Sequence, residues 1–335
     1  MKSKKRSMAK VSVIIPVYNV SSFIRRNVKA LMGQTLEDVE FIFVNDATQD
    51  DSVEIIREEI ENYPSRKPYV TILNHESNKG LPATRNTGLA VAKGDYIFHC
   101  DSDDWVESDM LEKMLKAAED NDADIVYCDF FLSFEKNERY MSNPTFSTAE
   151  DLLKKGFLGG RMKYNVWNKM IRRSLYSQTG LSFPEGHPMG EDMTVIMLTA
   201  EAQRTAHVPE ALYHYVKMNE GAYSNTTYTP KKLEDIRYNV DRAVSFLQKK
   251  FGNSLEKEIS LFKLSIKLPF LLTGDKGMYK LWKEWYPESD RYADANTDQP
   301  QRTRLLQKMA AKGQWWYVDL YYRLVYKFIY GIIYR

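Results

Sequence analysis

The chain has 335 residues, of which 43% are hydrophobic and 27% are charged. This length allows one large domain with appended helices or two domains, and the composition is typical of a folded globular protein. The formal net charge is +2, but residues 301–335 hold seven basic residues and one acidic residue, so the rest of the chain is slightly acidic. Basic ends around an acidic core argue against a nucleic-acid-binding protein.

The two cysteines, Cys100 and Cys128, lie in apolar segments and have no zinc-type spacing. They are therefore expected to be buried free thiols in a reducing compartment, which favours a cytoplasmic protein. Residues 1–10 are predicted to be a basic tail rather than a signal peptide, because only a short apolar run follows them. No segment has 18 uninterrupted apolar residues, so none is expected to cross a bilayer.

Apolar strand-like segments alternate with amphipathic helical segments through the first 130 residues. The predicted strands are 11–17, 39–44, 69–73, 95–100 and 123–130, and the helices between them end near residues 33, 63, 92 and 120. The alternation predicts an α/β fold with a mostly parallel central sheet that is flanked by helices on both faces.

The fourth predicted strand stops abruptly on carboxylates, in the segment that runs from Gly94 to Trp105. Asp101 and Asp103 are two residues apart, so in extended backbone their side chains leave the chain on the same side. Hard carboxylate oxygens suit Mg²⁺ or Mn²⁺, and the sequence therefore predicts a divalent-metal site there. The alternative is an acidic turn that only starts a helix, with Ser108 as the N-cap residue.

Neither of the usual glycine-rich phosphate-binding motifs is present at a strand-to-helix turn, so a metal would have to hold the phosphates of a bound nucleotide. Three polar turns would meet at the carboxyl edge of the sheet. They offer the aromatic face of Tyr18, the acceptor oxygens of Asp46 and the metal pair. This set matches a base, a ribose and a diphosphate.

The regular alternation ends after residue 130, and a polar connection follows at 142–148. Residues 165–171 form a short amphipathic segment. Two prolines and two glycines in 183–190 indicate a loop that opens onto a site. Glu191 and Asp192 then head an apolar helix, where acids are also favoured by the helix dipole alone. From residue 231 onward the apolar spacing predicts helices.

Four ordered blocks in residues 11–215 resemble the inverting family 2 glycosyltransferases of GT-A fold, which build bacterial cell-surface polysaccharides. The blocks are VSVIIPVYN at 11–19, EFIFVNDATQD at 40–50, NKGLPATRNTGLAVAKGDYIFHCDSDD at 78–104, and the shorter pair of Trp167-Asn168-Lys169 and Gly190-Glu191-Asp192. The chain departs from the family at Asn45-Asp46-Ala47, where an acidic pair and a glycine are usual. This keeps the nucleoside-binding acid but makes the turn less flexible.

The resemblance implies roles for individual residues of this chain. Nucleotide binding falls to Pro16, Tyr18, Asn19, Asp46, Arg85, Asp101 and Ser102. Asp103 and Asp101 would bind a divalent metal, Mn²⁺ or Mg²⁺, and Asp192 would be the catalytic base. The acceptor side falls to Trp167, Lys169 and Glu191, and Glu191 is also the rival for the base.

These observations predict a transferase that moves one sugar from a nucleotide-diphosphate donor, a UDP-sugar, to a hydroxyl of a glycan or lipid-linked acceptor. A nucleotidyltransferase would normally show a basic loop near the first strand, but 16–22 contains no Lys, Arg or Gly. A catalytically inactive, membrane-associated sugar-nucleotide scaffold is the alternative from another class, and the presence of every expected carboxylate counts against it. The predicted domains are a catalytic domain at 11–225, split at 130 into donor and acceptor halves, and a helical region at 226–335.

Residues 315–335 are predicted to form an amphipathic helix. Its charges at Asp319, Arg323, Lys327 and Arg335 recur at multiples of four, beside apolar residues at Trp316, Leu320, Leu324, Phe328 and Ile332. Aromatic residues mixed with basic ones favour an interfacial helix on the anionic cytoplasmic face of a membrane. The alternative is a terminal helix that docks on the protein's own core.

Overall fold

The computed structural model describes residues 9–218 and 228–333, with only the backbone described for 328–333. The chain divides into two compact units, Met1–Glu150 with Tyr164–Ala243 and Asp151–Lys163 with Val244–Arg335. The first unit thus continues past the predicted domain boundary at 225, and the second includes a short segment from the middle of the chain. Residues 1–8 of the predicted basic tail lie outside the described residues.

The first unit is built around a nine-stranded mixed sheet. In chain order the strands are β1 (Val11–Val17), β2 (Val39–Asn45), β3 (Val70–Asn74), β4 (Tyr96–His99), β5 (Trp105–Val106), β6 (Ile125–Ser133), β7 (Glu138–Met141), β8 (Lys169–Arg172) and β9 (Thr205–Val216). Their order in the sheet is β3-β2-β1-β4-β8-β6-β9-β5, and β7 pairs with β6. Strands β5, β7 and β8 run antiparallel to their neighbours, and the other six run in one direction. The predicted mostly parallel sheet is confirmed.

Helices follow the strands as the alternation predicts. They are α1 (Ile24–Met32), α2 (Ser52–Ile60), α3 (Leu81–Val91), α4 (Met110–Asp120), α5 (Ala149–Asp151), α6 (Arg173–Thr179), α7 (Thr194–Glu201), α8 (Pro230–Phe251), α9 (Glu256–Lys267), α10 (Lys276–Glu284), α11 (Gln301–Ala311) and α12 (Trp315–Tyr321). Helix α5 continues through wider π-type turns at Leu152–Leu158, and α12 continues in the same way at Tyr322–Ile333. The predicted helical end of the chain is confirmed.

Close packing fixes helix α3 against the centre of the sheet. Every residue of β1 is buried, as expected of a strand that is covered on both faces. Gly88 lets α3 approach this strand closely, because a Cβ atom there would lie only 2.4 Å from Cγ2 of Ile14. The helix therefore holds its polar residues, Arg85 and Asn86, in a fixed position relative to the carboxyl edge.

The main difference from the expected architecture is β8. The segment 165–171 was predicted to be a short amphipathic piece, but its second half enters the sheet between β4 and β6. Met170 and Ile171 are fully buried there, so burial of apolar area explains why this segment becomes a central strand. Cys100 and Cys128 are both free and buried, which confirms the prediction for the thiols.

The second unit contains a fully buried lysine that links several of its elements. Lys267 Nζ donates hydrogen bonds to Asp290 Oδ1 at 2.6 Å and to the Trp285 carbonyl at 2.8 Å, and it lies 4.1 Å from the centre of the Trp282 ring. The same unit contains α12, in which Val318 is buried and Trp316 is exposed. Among the residues that the structure describes, no helix combines the length and the apolar character needed to cross a membrane.

Candidate active site

Asp46 follows β2 and organises the loop that leads into α3. Its carboxylate accepts hydrogen bonds from the backbone N–H groups of Lys79 and Gly80, both at 2.8 Å, and it lies 2.7 Å from His75 Nδ1. Only 3% of the residue is exposed. The acid predicted to bind the nucleoside therefore also fixes the shape of the loop beside it.

The turns after β1 and β2 are linked to each other. The backbone N–H of Asn19 donates to Thr48 Oγ1 at 2.8 Å, and Asn19 Oδ1 accepts from the backbone N–H of Gln49 at 3.2 Å. Both turns use left-handed backbone, with φ of 52° at Asn19 and 55° at Ala47. Tyr18, 46% exposed, stands beside this link with its ring open to solvent, while Pro16 is buried in β1.

The acidic residues after β4 form a tight turn rather than extended backbone, because the Asp104 N–H donates to the Asp101 carbonyl at 3.2 Å. The geometric reason given above for pairing Asp101 with Asp103 is therefore wrong, although both residues stay partly exposed at the edge of the sheet. Asn27 Nδ2 donates to the carbonyls of Asp101 and Asp104, each at 3.0 Å. Ser102, in the same turn, is buried.

Asp104 connects this turn to strand β9. Its buried carboxylate accepts hydrogen bonds from the Tyr213 hydroxyl and from the Val216 backbone N–H, both at 2.7 Å. The Tyr213 hydroxyl also accepts a hydrogen bond from the Asp101 N–H at 3.2 Å. Strand β9 thus holds the turn that carries the predicted metal ligands, a connection that the sequence did not reveal.

Arg85 joins the donor edge to the base region. The side chain is almost completely buried, and its Nη2 donates to Asp101 Oδ1 at 2.9 Å. Burial alone would lower the pKa of Arg85, but the carboxylates of Asp101, Asp192 and Glu191 outweigh it and raise that pKa. Within the described part of the chain, its Nε and Nη1 atoms have no hydrogen-bond partner. A fixed positive charge therefore faces three acids.

Asp192 and Glu191 lie in a short 3-10 turn before α7. Burial raises the pKa of Asp192 to about 6, although the positive charge of Arg85 opposes the shift. Glu191 is more buried, and burial followed by the charge of Asp192 raises its pKa well above the usual value. Burial disfavours the charged form of both acids, and Asp192, with a pKa of about 6, is ionised at neutral pH.

The predicted acceptor-side segment is placed differently from expectation. Trp167 is buried and stacks on Tyr213, with ring centres 4.6 Å apart. Lys169, which the resemblance places on the acceptor side, is fully buried and donates to the Asn165 carbonyl and to Asn168 Oδ1. Both side chains belong to the interior behind Asp192.

The loop before the base is held by residues that the sequence reading missed. In α3, Asn86 Oδ1 accepts from the Phe183 N–H at 2.8 Å, and Asn86 Nδ2 donates to the Phe183 carbonyl at 2.9 Å. From α8, Asn239 Nδ2 donates to the carbonyls of His187 and Met189, both at 3.1 Å. Asn86 lies within the family-like block at 78–104, so the sequence could have indicated its importance. Asn239 lies outside every such block, and nothing in the sequence singles it out.

The carboxylates at the edge of the sheet are suited to a divalent cation whose coordination is completed by phosphate oxygens of the donor. In the described ranges no three His, Cys, Asp or Glu side chains are arranged to hold a metal by themselves. Magnesium and manganese sites of nucleotide enzymes commonly use only one or two carboxylates and complete their coordination with phosphate oxygens and water. Asp101 and Asp103, partly exposed at the edge of the sheet, supply such a pair.

A mixed sheet with an acidic turn at its carboxyl edge and a buried acid pair is the arrangement expected of a GT-A glycosyltransferase. The family model described as glycosyl transferase family 2 matches residues 12–184, and the chain belongs to that family. It is 31% identical to the uncharacterized glycosyltransferase EpsJ of Bacillus subtilis (strain 168), over 79% of this chain and 77% of the relative.

Many solved structures share the fold, among them two that are bound to a nucleotide-sugar. One is the S. aureus TarS 1-349 complex with UDP-GlcNAc, with a TM-score of 0.67, 18% identity and coverage of 94% of this chain and 91% of that one. The other is the mannosyltransferase PcManGT of Pyrobaculum calidifontis in complex with GDP-Man and Mn²⁺, with a TM-score of 0.53, 14% identity and coverage of 95% and 88%. The predicted family and fold are confirmed.

Proposed function

We propose that the protein transfers one sugar from a nucleotide-diphosphate donor, a UDP-sugar, to a hydroxyl group of an acceptor, with inversion at the anomeric carbon. The observation that carries the proposal is the pairing of Asp192 with the donor edge through Arg85. A carboxylate with a pKa near 6 is ionised at neutral pH and basic enough to take a proton from a reacting hydroxyl. A single displacement needs one such base.

The donor binds at the carboxyl edge of the sheet. Tyr18 offers its exposed ring to the base, and the linked turns after β1 and β2 close around the nucleoside. Four further residues contribute mainly by fixing the backbone of these turns. Pro16 and Ser102 are buried, and the side chains of Asn19 and Asp46 already accept hydrogen bonds from backbone N–H groups. Arg85 holds the carboxylate of Asp101 in place.

Asp103 and Asp101 would hold the divalent cation, Mn²⁺ or Mg²⁺, together with the diphosphate of the donor. When bound, this ion offsets the negative charge that develops on the leaving diphosphate. The Mn²⁺ in the structure of the mannosyltransferase supports this assignment. The protein's own contribution is to hold the acidic turn rigid through Asn27 and Asp104.

Asp192 accepts the proton of the acceptor hydroxyl as that oxygen attacks the anomeric carbon of the donor. Glu191, whose pKa is raised well above its usual value by burial and by the charge of Asp192, is the poorer base and lies on the acceptor side. Burial of Trp167 and Lys169 leaves the contact with the acceptor to other residues. The acceptor class that the family resemblance supports is a growing glycan or a lipid-linked sugar in the synthesis of a bacterial cell-surface polysaccharide.

The exposed face of the last helix supports a peripheral location on the cytoplasmic face of a membrane. Trp316, Leu320 and Leu324 are exposed and four residues apart, and the basic residues Arg323 and Lys327 are exposed near them. The opposite side is docked within its own unit, where Trp315 stacks on Tyr279. Insertion of this apolar stripe into the headgroup region, with basic side chains beside anionic lipid, explains such exposure. Phe328, Ile332 and Arg335 lie outside the described side chains.

Vesicle sedimentation tests the membrane proposal. At low salt, we expect the wild-type protein to sediment with phosphatidylglycerol vesicles and the variant Trp316→Glu with Leu320→Glu to remain in the supernatant. Leu305→Glu is the matched control, because Leu305 is an exposed leucine of α11 in the same unit but outside the stripe. Equal sedimentation of the wild type and the stripe variant would overturn the proposal.

A binding screen tests the proposed activity. UDP-sugars and GDP-sugars are titrated against the protein with and without Mn²⁺, because TarS is solved with UDP-GlcNAc and the mannosyltransferase with GDP-Man. Saturable, metal-dependent binding of one donor, followed by release of its nucleotide, is the expected result. Binding without any nucleotide release under all conditions would favour the inactive scaffold, and no binding of any donor would contradict the proposed function.

A further inference from the structure

Lys169 is a buried cation that the donor site does not use. It lies at the start of β8 with none of its surface exposed. Its Nζ donates to the Asn165 carbonyl at 2.5 Å and to Asn168 Oδ1 at 2.8 Å. Taking an ammonium group out of water is costly, so a lysine in such a position is retained only where its charge and its hydrogen bonds serve the surrounding structure.

The turn that Lys169 closes is the one that contacts the proposed base. The backbone N–H of Val166, inside this turn, donates to Asp192 Oδ2 at 3.2 Å. Asn168 is itself fixed, because its Oδ1 accepts from Asn165 Nδ2 at 2.8 Å and its Nδ2 donates to the Cys128 carbonyl at 2.8 Å. The turn at 165–169 is therefore a rigid support with one end against Asp192 and the other tied to the sheet.

We propose that Lys169 is a positioning residue for the proposed base: its ammonium group closes the 165–169 turn, so that the Val166 N–H holds the carboxylate of Asp192. The proposal rests on the proposed function, since it assigns Lys169 to the base of that reaction. The lysine touches no reacting atom in this scheme. It acts on the reaction only through Asp192.

The charges around Asp192 agree with this role. Burial raises the pKa of Asp192, the cation of Arg85 lowers it, the carboxylate of Asp101 raises it, and the Val166 N–H and Lys169 lower it. Burial in turn lowers the pKa of Lys169 to about 7, with the charge of Asp192 opposing that shift. The two cations come from different elements, Arg85 from α3 and Lys169 from β8. Among the residues that the structure describes, Glu191, Tyr164 and Tyr176 also interact with Asp192.

A titration of Asp192 without any substrate is the most direct test. The infrared C=O band of a protonated carboxyl group that is present in the wild type and absent from Asp192→Asn reports this side chain alone. In Lys169→Met the band should titrate at higher pH than in the wild type, because the Val166 N–H and the charge of Lys169 both favour the ionised carboxylate. Lys169→Arg keeps the charge and should titrate close to the wild type.

The same shift should be visible in turnover. With UDP-GlcNAc and Mn²⁺, or the donor selected by the binding screen, and water as the acceptor, release of the nucleotide falls on the acidic side as Asp192 is protonated. Lys169→Met should move this acidic limb to higher pH by the same amount, with the KM for the donor unchanged. A loss of folded protein alone would lower the rate at every pH and leave the limb in place.

Lys267→Met provides the matched control. Lys267 is also fully buried and also donates to backbone carbonyls and a side-chain oxygen, but it belongs to the second unit. Its loss should lower the melting temperature without moving the titration of Asp192. Asn165→Ala is the milder variant in case Lys169→Met does not fold, since it removes only the hydrogen bond to Asn168, and it should give a smaller shift in the same direction.

The outcomes separate this inference from the proposed function. An unchanged Asp192 titration in folded Lys169→Met, or in Asn165→Ala if the first variant does not fold, would overturn the inference. If instead Asp192→Asn releases nucleotide as fast as the wild type at every pH, the base assignment of the proposed function fails. That second result would appear whatever the lysine variants show.

Discussion

The donor edge and the base region of the first unit handle their acidic residues in opposite ways. At the donor edge, Asp46 and the acidic turn after β4 are fixed largely by hydrogen bonds from backbone N–H groups and by Asn27, in turns that border solvent. In the base region, Asp192 and Glu191 are placed among buried charges that come from distant parts of the chain. The donor edge fixes its acids by hydrogen bonds, including those from Asn27 and strand β9, whereas the base region places its acids among buried charges.

The difference matches what each region is proposed to do. A donor with a diphosphate and a cation supplies its own charges, so the protein needs only rigid turns with accessible oxygens. A general base must instead have a pKa close to the working pH, and proteins achieve such a value by burial and neighbouring charges. The comparison predicts that changes at the donor edge affect binding and the metal, whereas changes in the base region affect pH dependence and rate.

The largest expected effect is at the donor edge. Asp103→Ala removes a proposed metal ligand, and because such an ion supplies several kcal/mol of transition-state stabilisation, the release of nucleotide should fall by roughly 10³-fold. Asp95→Ala, an exposed carboxylate at the other end of β4 that pairs with Lys10, is the control and should leave turnover unchanged. Full activity of chelator-treated wild type would contradict the metal assignment.

The next effect separates the two acids of the base region. Asp192→Asn should bind the donor normally but transfer more slowly, because removing a general base commonly costs about 10²- to 10⁴-fold in rate. Glu191→Gln should cause a much smaller loss, since the pKa of Glu191 is raised well above its usual value and the proton acceptor of the proposed reaction is Asp192. Rates measured with saturating donor and Mn²⁺ decide between them. A larger loss in Glu191→Gln than in Asp192→Asn would reverse the assignment.

The residues of the donor edge could be predicted from sequence because they lie in local patterns, although their contacts with β9 could not. Strand β1, the turn at Asp46 and the acids after β4 are each encoded within a few consecutive residues, and parallel strands bring their carboxyl ends together. The parallel sheet followed from the same alternation of strands and helices. Even here one step was wrong, because a turn rather than extended backbone follows β4.

The base region could be predicted only in part. The acid pair was visible as Glu191-Asp192, but the pKa of Asp192 depends on Arg85 and Lys169, which are distant in sequence. The amphipathic pattern of residues 165–171 did not indicate that Lys169 is buried, and the pairing of β8 within the sheet shows that it is. Burial of a charged residue runs against its usual preference, so propensity and periodicity point the wrong way at such positions.

Stability offers a third way to test the contrast, with an effect of a few kcal/mol. The pKa of Asp192 is raised from 3.8 to about 6 in the folded protein, so its ionised form opposes folding, by at most about 3 kcal/mol, at pH values above 6. Asp192→Asn, which resembles the protonated form, should therefore unfold at higher denaturant concentration than the wild type at pH 8. The advantage should shrink as the pH falls through 6 and vanish near 4. An advantage that is independent of pH would mean that the charge of Asp192 is not its cause.

The smallest expected effect is at the turn after β2, where Ala47 stands in place of the glycine that is usual in the family. Its φ of 55° lies in the left-handed region, which costs a residue with a Cβ atom roughly 1 kcal/mol relative to glycine. Ala47→Gly relieves this strain but also gives the unfolded chain more freedom, so the net gain in the free energy of unfolding should be about 0.5 kcal/mol. Chemical denaturation at fixed pH measures it, and the same substitution at Ala92, in ordinary extended backbone after α3, is the control that should lose stability. If Ala47→Gly is destabilising as well, the turn at Asp46 depends on the stiffness of alanine, and the donor edge is less independent of its particular residues than its local hydrogen bonds suggest.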